Sequence, residues 1–290
     1  MKHWLLAARP KTLMAGLCPV LMGTALAVRD DAFHALAAFM ALVGGLAIQI
    51  GTNFCNDYCD YFQGADTDQR KGPTRAVQAG LVSPNAMLGA TACAFAVAAA
   101  ASGYLTIRAG WGIAILAVCS IAFGVLYTAG RYSLAYLGLG DPFVLVFFGP
   151  VAVAGTYFVQ AKEIAIHSIV AGLAPGAIAT GLLVVNNLRD INEDRLAGKR
   201  TLAVRFGKTF VRSEYAFCIL VAIAVPIVLW AMFDFSPWTM IASVFALPGM
   251  LLVRAVFSTD GSKLNPFLGK TAALLLAYSI VFSLGVTSGW

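Results

Sequence analysis

Gly51-Thr52-Asn53-Phe54-Cys55-Asn56-Asp57-Tyr58-Cys59-Asp60-Tyr61-Phe62-Gln63-Gly64-Ala65-Asp66 closes an apolar run, residues 33–54, that is long enough to cross a bilayer. At about 100° per residue, Asn53, Asp57 and Asp60 share a narrow arc of one helix face, with Asn56 beside them. Acidic side chains near hydrocarbon depth are costly unless they face a polar cavity or hold a cation. The stretch is therefore a candidate functional site.

A second stretch repeats the arrangement. Asn186-Asn187-Leu188-Arg189-Asp190-Ile191-Asn192-Glu193-Asp194 ends the apolar run 169–188, and Asn186, Asn187, Asp190 and Asp194 again fall on one helical face. One Asp at the end of a membrane helix is an ordinary interfacial residue. Two clusters of Asn with paired Asp, each closing a membrane run, argue for a shared site.

The chain around them is 60% hydrophobic and only 12% charged, with a mean hydropathy of +0.80, which excludes a soluble globular domain and indicates an integral membrane protein. Apolar runs at 12–28, 33–54, 86–107, 111–129, 142–160, 166–188, 214–233, 237–257 and 269–288 give about nine spans. None alternates as a barrel strand would. The expected fold is all-α: one polytopic domain, residues 1–290, surrounding a central cavity. Spans two and six run in the same direction and lie four spans apart, so the bundle reads as two parallel four-helix halves plus one helix. The first motif, 53–66, continues in a loop to 83, and the second, 186–194, in a loop to 212.

With the N-terminus in the cytoplasm, all basic residues but Arg29, Arg108 and Lys162 fall on one side, so the positive-inside rule puts the C-terminus outside. Both Asp clusters then face the cytoplasm, as expected for a bacterial inner-membrane protein. The net charge of +6 follows from these loops, where orientation and anionic lipids account for it without nucleic acid. The six cysteines read as small buried hydrophobes; Cys55 and Cys59 are one turn apart, but nothing completes a zinc set.

Carboxylates spaced at i,i+3 and i,i+4, with His3, His34 and His167 all elsewhere, select a hard divalent cation such as Mg²⁺, which takes few protein oxygens and fills its shell with phosphate oxygens. Carboxylates, Mg²⁺ and surplus Lys and Arg suit a diphosphate, both as a bound group and as a leaving group. A diphosphate held at the mouth of a membrane cavity implies a lipid tail among the helices. An allylic cation formed there would need water excluded and aromatic faces nearby; Phe54, Tyr58, Tyr127, Phe147, Phe148 and Tyr157 are candidates. Tyr127 closes the fourth span, and Asp141 opens the fifth at the same level as a helix-start acid. Arg9-Pro10-Lys11-Thr12 precedes the first span, either as a topology anchor or as part of the mouth.

The two motifs resemble those of the UbiA superfamily of intramembrane aromatic prenyltransferases, and the likeness extends over essentially the whole chain. Ala8-Arg9-Pro10-Lys11-Thr12, Gly51 through Tyr58, Gly64-Ala65-Asp66, Gly72-Pro73 with Arg75, and Asn186 through Arg205 with its run Ala197-Gly198-Lys199-Arg200-Thr201-Leu202 are similar to the menaquinone-pathway branch. The resemblance implies that Asp57, Asp60 and Asp66 form the first Mg²⁺ motif and Asp190 and Asp194 the second. It further implies that Asn53, Asn56 and Asn187 hold diphosphate and metal, and that Lys71, Arg75, Lys199 and Arg200 neutralise the diphosphate. Tyr127, Arg70 and Arg189 adjoin these as further candidates. The implied reaction moves a polyprenyl group from polyprenyl diphosphate to 1,4-dihydroxy-2-naphthoate, replacing its carboxylate, which leaves as CO₂. One departure is that Arg131-Tyr132-Ser133 follows Gly130, where the family usually has proline.

Two alternatives stand beside this reading. Another aromatic acceptor, 4-hydroxybenzoate or homogentisate, would use the same mechanism. A cation-coupled transporter would also use buried acids in a repeated bundle, although it has no evident need for Lys-Arg pairs beside both Asp clusters.

Overall fold

The structure is a computed structural model and describes residues 2–63, 72, 74–130 and 133–288. Asp66, Arg70 and Lys71 lie outside the described residues, as do Gly64, Pro73 and the Arg131-Tyr132 departure. All regular structure among the described residues is helical. A short α1, Lys2–Ala8, leads to the spans α2, Pro10–Arg29; α3, Ala35–Phe62; and α4, Pro84–Ala109. Next come α5, Trp111–Leu126, a four-residue α6, Leu134–Leu137, and a fifth span built from α7, Gly140–Val146, and α8, Ala152–Ala161. The second half continues with α9, Ile166–Arg189; a short α10, Ile191–Leu196; α11, Leu202–Met232; α12, Ala246–Phe257, entered through a 3₁₀ turn; and α13, Asn265–Thr287.

Eight of these helical segments are long and apolar enough to cross a membrane; α5, at 16 residues, makes the ninth expected span and is shorter than the run 111–129 suggested. Its end is drawn aside by polar contacts. The Thr128 hydroxyl donates to Asn56 Oδ1, and the Thr128 carbonyl accepts from Gln63 Nε2 at 2.9 Å, which pins the end of α5 to the end of α3. In contrast, α11 begins a dozen residues before its apolar run. The Thr201 hydroxyl accepts from the Val204 amide and so caps its first turn.

The side chains around the bundle are inverted relative to a soluble protein. Ile107 and Trp111 are 88% and 81% exposed, an outward apolar belt that suits lipid and not water. In each half the second span packs most extensively on the third, α3 on α4 and α9 on α11. The halves differ in enclosure. α9 is the most enclosed span and joins α2, α8, α11 and α13 in one core.

Small residues let α9 come close to its neighbours, as membrane helices require where no hydrophobic force drives them together. A Cβ on Gly172 would lie 2.5 Å from Pro150 Cα, and one on Gly176 would lie 2.4 Å from the Leu145 carbonyl oxygen. Both face the break in the fifth span, Phe147–Val151, where Gly149 leaves helical geometry (φ −114°, ψ −111°) and Pro150 has no N–H to continue the ladder. The sequence run 142–160 reads as one straight helix. Pro150 and its close approach to α9 bend it.

Candidate active site

A cavity of about 420 Å³ runs through the bundle. Its lining reaches along α3 from Asp60 down to Ala41, a depth of about 28 Å at the helical rise. Polar groups gather at one end: Arg9, Asn53, Asn56, Asp60 and Arg75 from the first half, and Asn187, Asp190, Glu193, Asp194 and Lys199 from the second. Below them the wall is largely apolar, with Gln49, Ser120 and Thr156 among its polar residues. Toward the deep end the wall includes Leu105, Ile113 and Val159, which pack with Ala37 as a separate cluster.

Asp60 is 3% exposed and is held by both halves of the chain. Arg75 donates to its Oδ2 at 2.5 Å, and Lys199 Nζ lies 3.5 Å from its Oδ1, which accepts no hydrogen bond among the described residues. Asp57 turns away from the cavity. Its carboxylate accepts from the Ala76 amide at 3.0 Å and the Val77 amide at 3.2 Å, which fastens the loop that carries Arg75. The arc shared by Asp57 and Asp60 on a helical projection is thus divided: Asn53, Asn56 and Asp60 face the cavity, whereas Asp57 faces the returning loop.

Asn53 lines the cavity with both amide hydrogens committed, to the Ala8 carbonyl at 2.8 Å and to Thr12 Oγ1 at 3.0 Å. The Thr12 hydroxyl in turn donates to the Arg9 carbonyl at 3.0 Å. These bonds hold Arg9 in a left-handed conformation (φ 51°, ψ 72°) between α1 and α2, with Arg9 on the cavity wall. The segment is part of the mouth.

At the end of α9, Arg189 is fully enclosed and does not reach the cavity. It grips Asp190 with two hydrogen bonds, Nε to Oδ1 at 2.6 Å and the terminal nitrogen to Oδ2 at 2.5 Å, and also bonds Asn186 and Asn265. Arg189 orients Asp190 and Asn186. Asn187, Asp194 and Lys199 line the cavity, but the Arg200 side chain is exposed and lies off its wall. The Arg200 amide instead donates to the Tyr136 carbonyl at 3.2 Å, tying the second loop to α6. Gly138 makes this approach possible: at φ 69° it occupies the left-handed region, and a Cβ there would fall 2.1 Å from the Arg200 carbonyl oxygen.

Of the aromatic candidates, Tyr127, Phe147 and Phe148 line the cavity, whereas Phe54, Tyr58 and Tyr157 do not. Phe54 packs on Trp4, and the Tyr157 hydroxyl donates to Asp30 at the opposite end of the bundle. Phe123 and Phe143 join Phe147 in a triad with ring centroids 4.8–5.8 Å apart. Polar wall residues with no assigned role in the sequence motifs include Thr128, Asp141 and Glu193. Asp141 carried a signal, a lone acid at the start of an apolar run on the same side as both motifs.

The donor set suits a hard cation. Carboxylates from both halves face one space, no imidazole or thiol lines it, and Asp60 Oδ1 is buried with a free lone pair. Among the described residues no three of these carboxylates form a metal-holding group unaided. Such a site would hold its ion jointly with ligand oxygens.

A membrane helix bundle with a mouth of carboxylates and cations, set over a largely apolar cavity, defines an intramembrane enzyme for a molecule with an anionic head and a lipid tail. The UbiA prenyltransferase family model matches residues 16–285, and the chain belongs to that family. It is 35% identical to the 1,4-dihydroxy-2-naphthoate octaprenyltransferase of Haemophilus influenzae, over 100% of this chain and 97% of the relative. It is 38% identical to the Mycobacterium tuberculosis protein of the same name, over 96% and 94%. A solved structure of a UbiA homolog from Archaeoglobus fulgidus bound to DMAPP and Mg2+ shares its fold, with a TM-score of 0.66 at 15% identity over 97% of this chain and 99% of that one.

Proposed function

We propose that the chain transfers a polyprenyl group from polyprenyl diphosphate to 1,4-dihydroxy-2-naphthoate, releasing diphosphate and CO₂ and giving demethylmenaquinol for menaquinone biosynthesis. The observation that carries this reading is one cavity that joins a charged mouth to a largely apolar interior, its lining reaching about 28 Å along α3. Full-length likeness to two naphthoate octaprenyltransferases supports the choice of acceptor.

In this reading Asp60, Asp190 and Asp194 hold Mg²⁺ together with diphosphate oxygens, with Asp66 joining from the loop. The cation supplies charge neutralisation for the leaving diphosphate. Arg9, Arg75 and Lys199 bind the diphosphate, assisted by Asn56, Asn187 and, from the loop, Lys71. Asp57 folds the loop that delivers Arg75, and Asn53 holds Arg9. The lipid tail lies down the cavity, and the Phe123-Phe143-Phe147 triad and Tyr127 present aromatic faces where an allylic cation would form. We further infer that the charged mouth faces the cytoplasm of a bacterial inner membrane, with the N-terminus inside and the C-terminus outside, because the basic loops gather at that end.

The test is product analysis by mass spectrometry with purified protein, Mg²⁺, farnesyl diphosphate and 1,4-dihydroxy-2-naphthoate, run beside 4-hydroxybenzoate and a chelator control. The expected product is a prenylated, decarboxylated naphthoquinol that forms only with metal. Product from 4-hydroxybenzoate alone would keep the chemistry and change the acceptor.

A further inference from the structure

Asp141 stands apart from the other carboxylates of the cavity. It opens α7, is 3% exposed and lines the wall beside Phe143 and Val144. Asp60 is matched by Arg75 and Lys199, and Asp190 by Arg189, while Glu193 and Asp194 interact with neighbours of their own. Asp141 has no such cation among the described residues, and its Oδ1 is buried without a hydrogen-bond partner. The Tyr127 hydroxyl lies beside the same turn, so close that a Cβ on Gly140 would fall 3.2 Å from it. An unsatisfied buried carboxylate oxygen on a residue of the cavity wall costs free energy in the empty protein, and the loss is recovered if a ligand's donor turns the carboxylate to it.

The ligands of the proposed reaction supply one such donor. Prenyl diphosphate brings only acceptor oxygens and hydrocarbon, and its anionic head is repelled by a carboxylate that has no cation. The aromatic acceptor brings hydroxyl groups. We propose that Asp141 accepts the proton of the acceptor's ring hydroxyl and so acts as the base of the prenyl transfer; this rests on the function proposed above.

The step balances without any further reactant. The hydroxyl beside the carboxylate-bearing ring carbon gives its proton to Asp141, and the electron pair released from oxygen moves into the ring. That ring carbon forms the new C–C bond to the allylic carbon as the allylic C–O bond breaks, and the diphosphate leaves with its pair. The ring carbon now carries both the prenyl group and the carboxylate, next to a ring ketone. Such a β-keto carboxylate loses CO₂, and the electron pair of the broken bond returns to the ketone oxygen as an enolate. That oxygen recovers the proton from Asp141, which restores the aromatic hydroxyl and the carboxylate. The proton is borrowed for one turnover.

The experiment compares wild type, Asp141→Asn and Asp141→Glu with Mg²⁺, farnesyl diphosphate, 1,4-dihydroxy-2-naphthoate and ring-fluorinated versions of that acceptor whose hydroxyl is more acidic. Asp141→Asn is expected to lose about 10²- to 10⁴-fold in kcat while its KM for farnesyl diphosphate stays within about twofold of wild type. Asp141→Glu recovers part of the loss, and the deficit of Asp141→Asn narrows as fluorination lowers the need for a base. Binding of an unreactive farnesyl thiolodiphosphate reports that each variant is folded. A folded Asp141→Asn with wild-type turnover, or with the same deficit for every acceptor, overturns the assignment alone. A wild type that prenylates no hydroxyarene overturns the assignment and the proposed function together.

Discussion

The two acidic helix ends carry similar sequences, yet they are held in opposite ways. At the end of α9, Asp190 is gripped by its neighbour Arg189, so the local chain sets its orientation. At the end of α3, Asp60 is held by Arg75 across a loop and approached by Lys199 from the other half of the molecule, while Asp57 fastens that loop. The α9 end is largely local, with Asn265 as a distant partner of Arg189. The α3 end exists only when distant segments are in place, so the same residue types serve as a fixed wall on one side and as an assembled wall on the other.

The largest expected effect tests the assembled wall at its centre. Asp60→Asn removes the carboxylate that faces cations from both halves, and product formation should fall about 10³-fold at saturating Mg²⁺. Turnover within a few-fold of wild type would break the comparison, because the α3 end would then be dispensable. Arg189→Ala tests the fixed wall. It leaves Asp190 without its bidentate partner and is expected to destabilise the protein by about 3–5 kcal/mol, read as a lower melting temperature in detergent.

A smaller effect separates two roles for Asp57. As a loop fastener, Asp57→Asn loses charge-assisted bonds to two amides and should cost about 1–3 kcal/mol of stability with no change in the Mg²⁺ concentration for half-maximal activity. A rise in that concentration without loss of stability would return Asp57 to the metal. The smallest effect concerns Arg9. Asn53→Ala frees the N-terminal turn and should raise KM for prenyl diphosphate by about tenfold, the equivalent of one or two hydrogen bonds, with kcat less affected.

Much of this architecture was legible because lipid imposes a simple rule on sequence: runs of apolar residues must be helices that satisfy their own backbone. The nine spans, and the position of both acidic clusters at helix ends, follow from that rule. The break at Gly149-Pro150 did not, since hydropathy is blind to a bend inside an apolar run. Within the site, composition named Asp57 and Asp60 together, but a helical projection cannot tell the cavity from a returning loop when both lie within one arc. Arg9 was ambiguous for the same reason. Its place on the cavity wall depends on bonds that Asn53 and Thr12 make across more than forty residues of sequence. Asp141 was visible as an acid at a helix start, but its unsatisfied oxygen is a property of the packed cavity alone.

The contact between Lys199 and Asp60 also bears on how the protein is made. Synthesis delivers α3 to the membrane long before residue 199 leaves the ribosome, so of the two described cations at Asp60 Arg75 alone is available while the spans α4, α5, α7–α8 and α9 are inserted. The first half therefore enters the bilayer with Asp60 in a one-to-one pair with Arg75, and the second half adds a second cation on arrival. A chain that stops before residue 199 lacks the contact that joins the two halves at Asp60.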